Sequence, residues 1–119
     1  MSTITPTSTP DGPAAPTSSG AAEDAAAALL IDLSRVTSAD ASRRRRAEYS
    51  SDASNYRVVP QVVTFPRDAD EVVATLEVAR SHQAPITARG AGTSVAGNAV
   101  GPGVVIDFSR YMHRIGEID

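Results

Sequence analysis

The sequence predicts an α/β fold, α+β in layout, with a small mixed sheet backed by one crossover helix and preceded by a helical segment. Three observations predict it. A β-branched run at 61–65, an amphipathic stretch from Asp68 to about His82 and a short β run at 86–88 follow in strand–helix–strand order. Residues 61–88 together have the length of a right-handed crossover unit. Val104-Val105-Ile106-Asp107-Phe108, entered through Gly101-Pro102-Gly103, is the clearest strand of all.

At 119 residues the chain has room for one small domain. Residues 1–20 are dominated by Ser, Thr, Pro, Ala and Gly, and a segment that can bury so little apolar surface is expected to be a disordered tail. Residues 21–57 read as a helical segment and its connection, and residues 58–119 as the first part of a domain whose end is not reached. The net charge of −3 gives no strong field for nucleic acid or anionic lipid. All 11 basic residues are arginine, which removes lysine-dependent phosphate loops, Schiff bases and lysine general bases from this segment. With no cysteine, disulfides, thiolate catalysis and cysteine-held metals are excluded within it. No apolar run is long enough to span a membrane, and the N-terminus lacks the pattern of a secretory signal. A cytoplasmic location follows as the expectation, with peripheral attachment to a membrane left open.

The elements follow in chain order. Leu29, Leu30, Leu33 and Val36 gather on one face of a helix over 21–36, where Ala25–Ala28 supply propensity and Glu23 and Asp24 suit the positive end of the dipole. Arg43-Arg44-Arg45-Arg46 lies among Asp40, Glu48 and Asp52 without interleaved aromatics, so a solvated helical turn is expected rather than a nucleic-acid surface. Asp52, Ser54 and Asn55 favour turns within the connection at 49–57. The strand at 61–65 is bounded by Pro60 and Pro66. Asp68 and Glu71 form a capping box for the next helix, whose expected apolar face is Val72, Val73, Leu76 and Ala79. Pro85 limits that helix to about His82-Gln83-Ala84. Ile115 to Ile118 read as the start of one more strand.

Chemistry concentrates at Arg89-Gly90-Ala91-Gly92-Thr93-Ser94-Val95-Ala96-Gly97. Glycines let the backbone turn tightly and approach an anion closely, and successive N–H groups in such a turn can form a nest for phosphate oxygens. Thr93 and Ser94 add hydroxyls, and Arg89 adds a charge that serves either the anion or the fold. A nucleoside-triphosphate loop is ruled out because Asn98-Ala99 follows Gly97 where lysine and a hydroxyl are needed. The dinucleotide fingerprint is ruled out because Val95 stands where its third glycine belongs and no helix follows. From these residues alone, a plain glycine-rich loop between strands competes with an anion nest.

The ordered segments Tyr49-Ser-Ser-Asp-Ala-Ser-Asn-Tyr-Arg57, Val59-Pro-Gln-Val-Val-Thr-Phe-Pro66, Pro85-Ile-Thr-Ala-Arg-Gly-Ala-Gly-Thr-Ser94 and Val104-Val-Ile-Asp-Phe-Ser109 narrow the choice. Over residues 29–119 the chain resembles the FAD-linked oxidases with a p-cresol methylhydroxylase-type (vanillyl-alcohol oxidase-type) FAD-binding domain. Within them it is most similar to the group of D-lactate dehydrogenases and glycolate oxidase flavoproteins. The resemblance implies that FAD phosphates lie over the loop, contacted by Gly90, Ala91, Gly92, Thr93 and Ser94, with Arg89 beside them and Gly97 allowing close approach. It also implies oxidation of a small 2-hydroxy acid by hydride transfer to flavin N5, in partnership with the remainder of the FAD and substrate domains. Relatives that bind flavin covalently through this loop carry histidine at the position of Thr93, so the implied FAD is non-covalent. Two departures stand out. Ala91 replaces a usual glycine, where a left-handed backbone would be mildly strained, and the helix end near Gln83-Ala84 lacks a glycine. No catalytic residue and no metal ligand is expected here; His82 reads as a helix-end cation and His113 as a surface residue. The alternative reading is a catalytically inactive structural or interaction fragment that does not retain FAD by itself.

Overall fold

The computed structural model describes residues 18–119, so most of the segment expected as a tail lies outside the described residues. Helix α1 (Ser18–Ser34) starts three residues before the expected boundary, which moves Glu23 and Asp24 beyond its first turn. Strand β1 (Ser38–Asp40), helix α2 (Arg43–Glu48), strand β2 (Val62–Phe65), helix α3 (Ala69–Ser81), strand β3 (Ile86–Arg89) and strand β4 (Val104–Asp107) follow. The four strands form one sheet in the order β1-β2-β4-β3. Strand β1 runs antiparallel to β2, while β4 pairs in parallel with β2 on one side and β3 on the other. The sheet is therefore mixed, as predicted, with α3 as the crossover from β2 to β3.

All four residues of β2 and of β4 are buried. Strands covered on both faces read as continuous apolar runs, which is why these two are the plainest in the sequence. Val62, Val104 and Ile106 point to one side and join Leu29 and Leu33 of α1 and Ala79 of α3 in the core. Full burial of a leucine side chain is worth about 1.5–3 kcal/mol, so Leu29 and Leu33 anchor α1 to the sheet. Alternation turns Val63, Phe65, Val105 and Asp107 to the opposite face. There the ring of Tyr49 meets Phe65 edge-on, 5.9 Å between centroids and 78° between planes.

Helix α3 is capped by Asp68, whose carboxylate accepts the Glu71 N–H at 2.8 Å, so the Asp68 half of the expected capping box forms. Its inward face differs from expectation. Thr75 and Ala79 are the buried residues, whereas Val73 and Leu76 are 54% and 43% exposed. Small side chains let the helix lie close to its neighbours, and the Thr75 hydroxyl is satisfied by the Glu71 carbonyl at 2.6 Å. His82 caps the far end and reaches Asp32 of α1, with 2.7 Å between Nε2 and Oδ2.

Two further expectations change. Ser38–Asp40 carries no strand signal of its own and becomes extended because β2 offers it an edge, Ser38 opposite Phe65. Residues 115–118 form no strand; Ile115 and Ile118 are 90% and 93% exposed, and no described strand lies beside them to complete a ladder. The arginine run is α2, but it is less solvated than expected. Arg44 and Arg45 pair with Glu48, Arg45 also with Asp40, and Arg46 donates to the Pro60 carbonyl at 2.7 Å.

The missing glycine after α3 has a measurable consequence. Gln83 adopts φ +54, the left-handed region, and its N–H bonds the Arg80 carbonyl while Ala84 N–H bonds the Ala79 carbonyl. This is a Schellman ending with a side chain where glycine is usual. Gln83→Gly is expected to raise the unfolding free energy of the chain by about 0.5–1 kcal/mol, read as a higher urea midpoint at unchanged slope. The opposite result is expected at Gly103, where a Cβ would fall on the Pro85 carbonyl oxygen. Gly103→Ala should lower stability by about 1–3 kcal/mol in the same measurement.

Candidate functional site

The loop of residues 90–103 leaves the carboxyl end of β3 and returns to the start of β4. Ligands in open α/β sheets bind outside the carboxyl ends of the strands, and here those of β2, β3 and β4 share one edge of the sheet. Arg67 follows β2 at that edge and residues 108–114 follow β4. A cavity of about 380 Å³ there is lined by Arg67, Tyr111, Met112 and Arg114. A second, of about 320 Å³, lies between α1 and Arg46, Ala41 and Gln61. The glycine loop lines neither of these two cavities.

Within the loop, Gly92 has φ +71 and Gly97 φ +83, while Ala91 and Ala96 stay outside the left-handed region. The strain expected at Ala91 is therefore absent. A residue of negative φ followed by a left-handed glycine is the backbone alternation of anion nests. Gly90, Ala91 and Thr93 are exposed, and the backbone N–H groups of residues 90–94 have no acceptor among the described residues. The Ser94 hydroxyl oxygen accepts from the N–H groups of Ala96 at 3.3 Å and Asn98 at 3.2 Å. Its own proton is left to donate outward.

Arg89 is bonded within the fold. Its Nη1 donates to the carbonyls of Ser51 at 2.8 Å and Ala99 at 3.3 Å, and its guanidinium lies 4.8 Å from the Tyr49 ring centre. A Cβ at Gly92 would come within 2.5 Å of Arg89 Nη2, so the loop rests directly on this side chain. The charge expected beside the phosphates is thus also bonded into the loop's scaffold.

The segment 49–57 supplies contacts that sequence reasoning missed. Asp52 Oδ2 accepts the Ala99 N–H at 3.2 Å, and Oδ1 accepts the Ser54 N–H at 2.9 Å together with the Ser54 hydroxyl. The Ser54 hydroxyl, the Ser54 and Ala99 N–H groups and the Arg89 charge hold the Asp52 carboxyl below the usual carboxylate range. Tyr56 lies against Gly97, where a Cβ would meet its Cδ2 at 2.7 Å. Tyr49 donates its hydroxyl to Asp107 Oδ2, while Asp107 Oδ1 accepts the N–H and hydroxyl of Ser109 at 2.7 and 2.6 Å. In the sequence these polar residues read as a turn-rich connection. The signal available is their clustering alone, with no spacing that points across 47 residues to Ala99.

Neither histidine joins the loop: His82 pairs with Asp32, and His113 is exposed. No group of three metal-ligating side chains occurs among the described residues. No helix among them is long and apolar enough to cross a membrane.

Burial, then the hydrogen bond to Asp107, pushes the Tyr49 phenol from 10.0 up to about 12. The native state therefore holds this proton more tightly than the unfolded chain does. That stabilisation is whole below pH 10 and is lost as pH rises through about 12. Tyr49→Phe should remove the phenolate absorbance step near 12, and its stability should decline less steeply over this interval than the parent's.

Comparison with known proteins places this geometry. Residues 60–119 match the family model described as FAD binding domain. D-2-hydroxyglutarate dehydrogenase of Pseudomonas putida is 43% identical over 77 residues, covering 62% of this chain and 8% of that protein. Glycolate oxidase subunit GlcD of Bacillus subtilis is 37% identical over 93 residues, covering 76% of this chain and 20% of that protein. The chain thus spans no more than a fifth of the length of these relatives. The crystal structure of p-cresol methylhydroxylase with substrate bound superposes with a TM-score of 0.68 at 14% identity, over 82% of this chain and 21% of that one. The strand–helix–strand unit, the loop after β3 and the buried strand beyond it all fall inside the matched residues, and the chain belongs to the FAD-binding domain family of the FAD-linked oxidases.

Proposed function

We propose that the chain supplies the pyrophosphate-binding part of a flavin-dependent oxidoreductase that converts a D-2-hydroxy acid of the lactate or glycolate kind to its 2-keto acid. The observation that carries the reading is the run of backbone N–H groups at residues 90–94, without acceptors among the described residues, in a loop with left-handed glycines whose Gly90, Ala91 and Thr93 are exposed. A pyrophosphate needs many donors at close range and no intervening side chains. Gly90, Ala91, Gly92 and Thr93 offer N–H groups, and the Thr93 and Ser94 hydroxyls add two more donors. Thr93 offers no nucleophilic ring for a bond to the flavin, which supports non-covalent attachment. Gly97 and Arg89 act beneath the loop, one by admitting Tyr56 and the other by holding Ala99.

Bound FAD supplies a two-electron acceptor at N5 for the hydride on the substrate's hydroxyl-bearing carbon. The residues of this chain bind and orient; the acid–base groups and the substrate pocket belong to the rest of the FAD and substrate domains. The substrate class is supported by the names of the relatives, since 2-hydroxyglutarate and glycolate are both 2-hydroxy acids.

The test is FAD titration of the complete protein by flavin fluorescence, followed by anaerobic addition of D-lactate, glycolate or D-2-hydroxyglutarate. The expected outcome is non-covalent FAD, released by acid precipitation, whose visible absorbance is bleached by one of these acids. Gly92→Ala should weaken FAD binding about tenfold or more, because alanine resists φ +71 and its Cβ meets Arg89. A protein that takes up no FAD, or a Gly92→Ala variant that binds as the parent does, would sink the assignment.

A further inference from the structure

The loop that meets the phosphates has almost no means of holding its own shape. Its residues are glycine, alanine, valine, two short hydroxyls and Asn98, and the Ser94 hydroxyl ties only Ala96 and Asn98. Its far end, Ala99, is held at both backbone groups from outside. Asp52 takes the N–H and Arg89 takes the carbonyl, and these two side chains carry opposite charges. Because Arg89 is also the last residue of β3, its bond to Ala99 closes residues 90–98 into a ring. Asp52 is in turn fixed by Ser54, and its neighbour Ser51 is held as well: its carbonyl accepts Arg89, and it bridges Arg57 across the turn.

We propose that Asp52, which lies outside the loop in sequence, is a positioning residue that holds the phosphate loop in its binding shape through the backbone of Ala99, in concert with Arg89. The proposal deepens the preceding one and rests on it for the identity of the ligand. Asp52 touches neither FAD nor substrate in this scheme. It removes conformations of residues 90–98 that would otherwise have to be frozen when a pyrophosphate arrives, so binding loses less entropy. The geometry assigns the same purpose to the segment around it: Tyr56 under Gly97 and Tyr49 under Arg89 form the floor on which the ring lies.

Three measurements on the complete protein test this: FAD affinity, the urea midpoint of the apoprotein, and amide exchange at Ala96, Asn98 and Ala99. Asp52→Ala should weaken FAD binding about tenfold to a hundredfold, because ordering residues 90–98 then opposes binding. Exchange should quicken at the three loop amides while β2 and β4 keep their protection. Asp52→Asn, which retains an acceptor for Ala99, should fall between the parent and Asp52→Ala. Unchanged FAD affinity with unchanged loop exchange in Asp52→Ala overturns the proposal. So does a loss of affinity matched by equal loosening of β2 and β4, which marks a merely structural residue. A parent protein without FAD affinity overturns the phosphate-binding reading instead, and loop exchange then decides by itself whether Asp52 holds the ring.

Discussion

Asp107 is a carboxylate at the end of the interior strand β4, only 5% exposed, following the fully buried Val104, Val105 and Ile106. Such a group is tolerated only where its oxygens are fully bonded. Ser109 satisfies one oxygen locally, and the other draws Tyr49 across the second face of the sheet. Once there, the Tyr49 ring covers Phe65 and carries the guanidinium of Arg89. The polar connection, the aromatic pair, the loop anchor and the central strand thus depend on one tyrosine–carboxylate contact. Removing Tyr49 would leave Asp107 Oδ2 without the hydrogen bond that joins it to the polar connection.

Arginine suits this arrangement better than lysine would. Arg89 bonds two carbonyls through one nitrogen while the plane of its guanidinium lies over a ring, and an ammonium offers no such plane. Arg45 and Arg110 stand over the other aromatic of the pair, Phe65, at 5.3 and 3.9 Å from its centre. In the sequence the exclusive use of arginine means the loss of lysine chemistry. In the structure it is also a packing choice, with flat cations layered on the second face of the sheet.

Much of the fold was legible because local and long-range preferences agree. Val62–Phe65 and Val104–Asp107 are buried on both faces and look so, and Asp68 caps α3 as its position suggests. The failures share a cause, in that tertiary contacts decided where the local pattern did not. Ser38–Asp40 is a strand through its neighbour alone. Val73 and Leu76 match the apolar period but point outward because Thr75 and Ala79 permit a closer approach. The loop was legible from its glycines, and its left-handed positions fell at Gly92 and Gly97 rather than at Ala91. Its supports at Asp52 and Tyr56 were not, since no periodicity links residues so far apart in the chain.

Strand β4 is the last of the four to be synthesised, yet it lies between β2 and β3. Until it arrives, those two strands have no common partner, and α3 spans a gap in the sheet rather than a surface. Ribosomal output at roughly 5–20 residues per second therefore leaves the two strand edges waiting for seconds. The segment that ends this wait is led in by Gly103, whose lack of a side chain lets it slide past the Pro85 carbonyl. The ring of residues 90–98 is closed by Arg89 of β3 and by Asp52, which hold Ala99 just ahead of that entry.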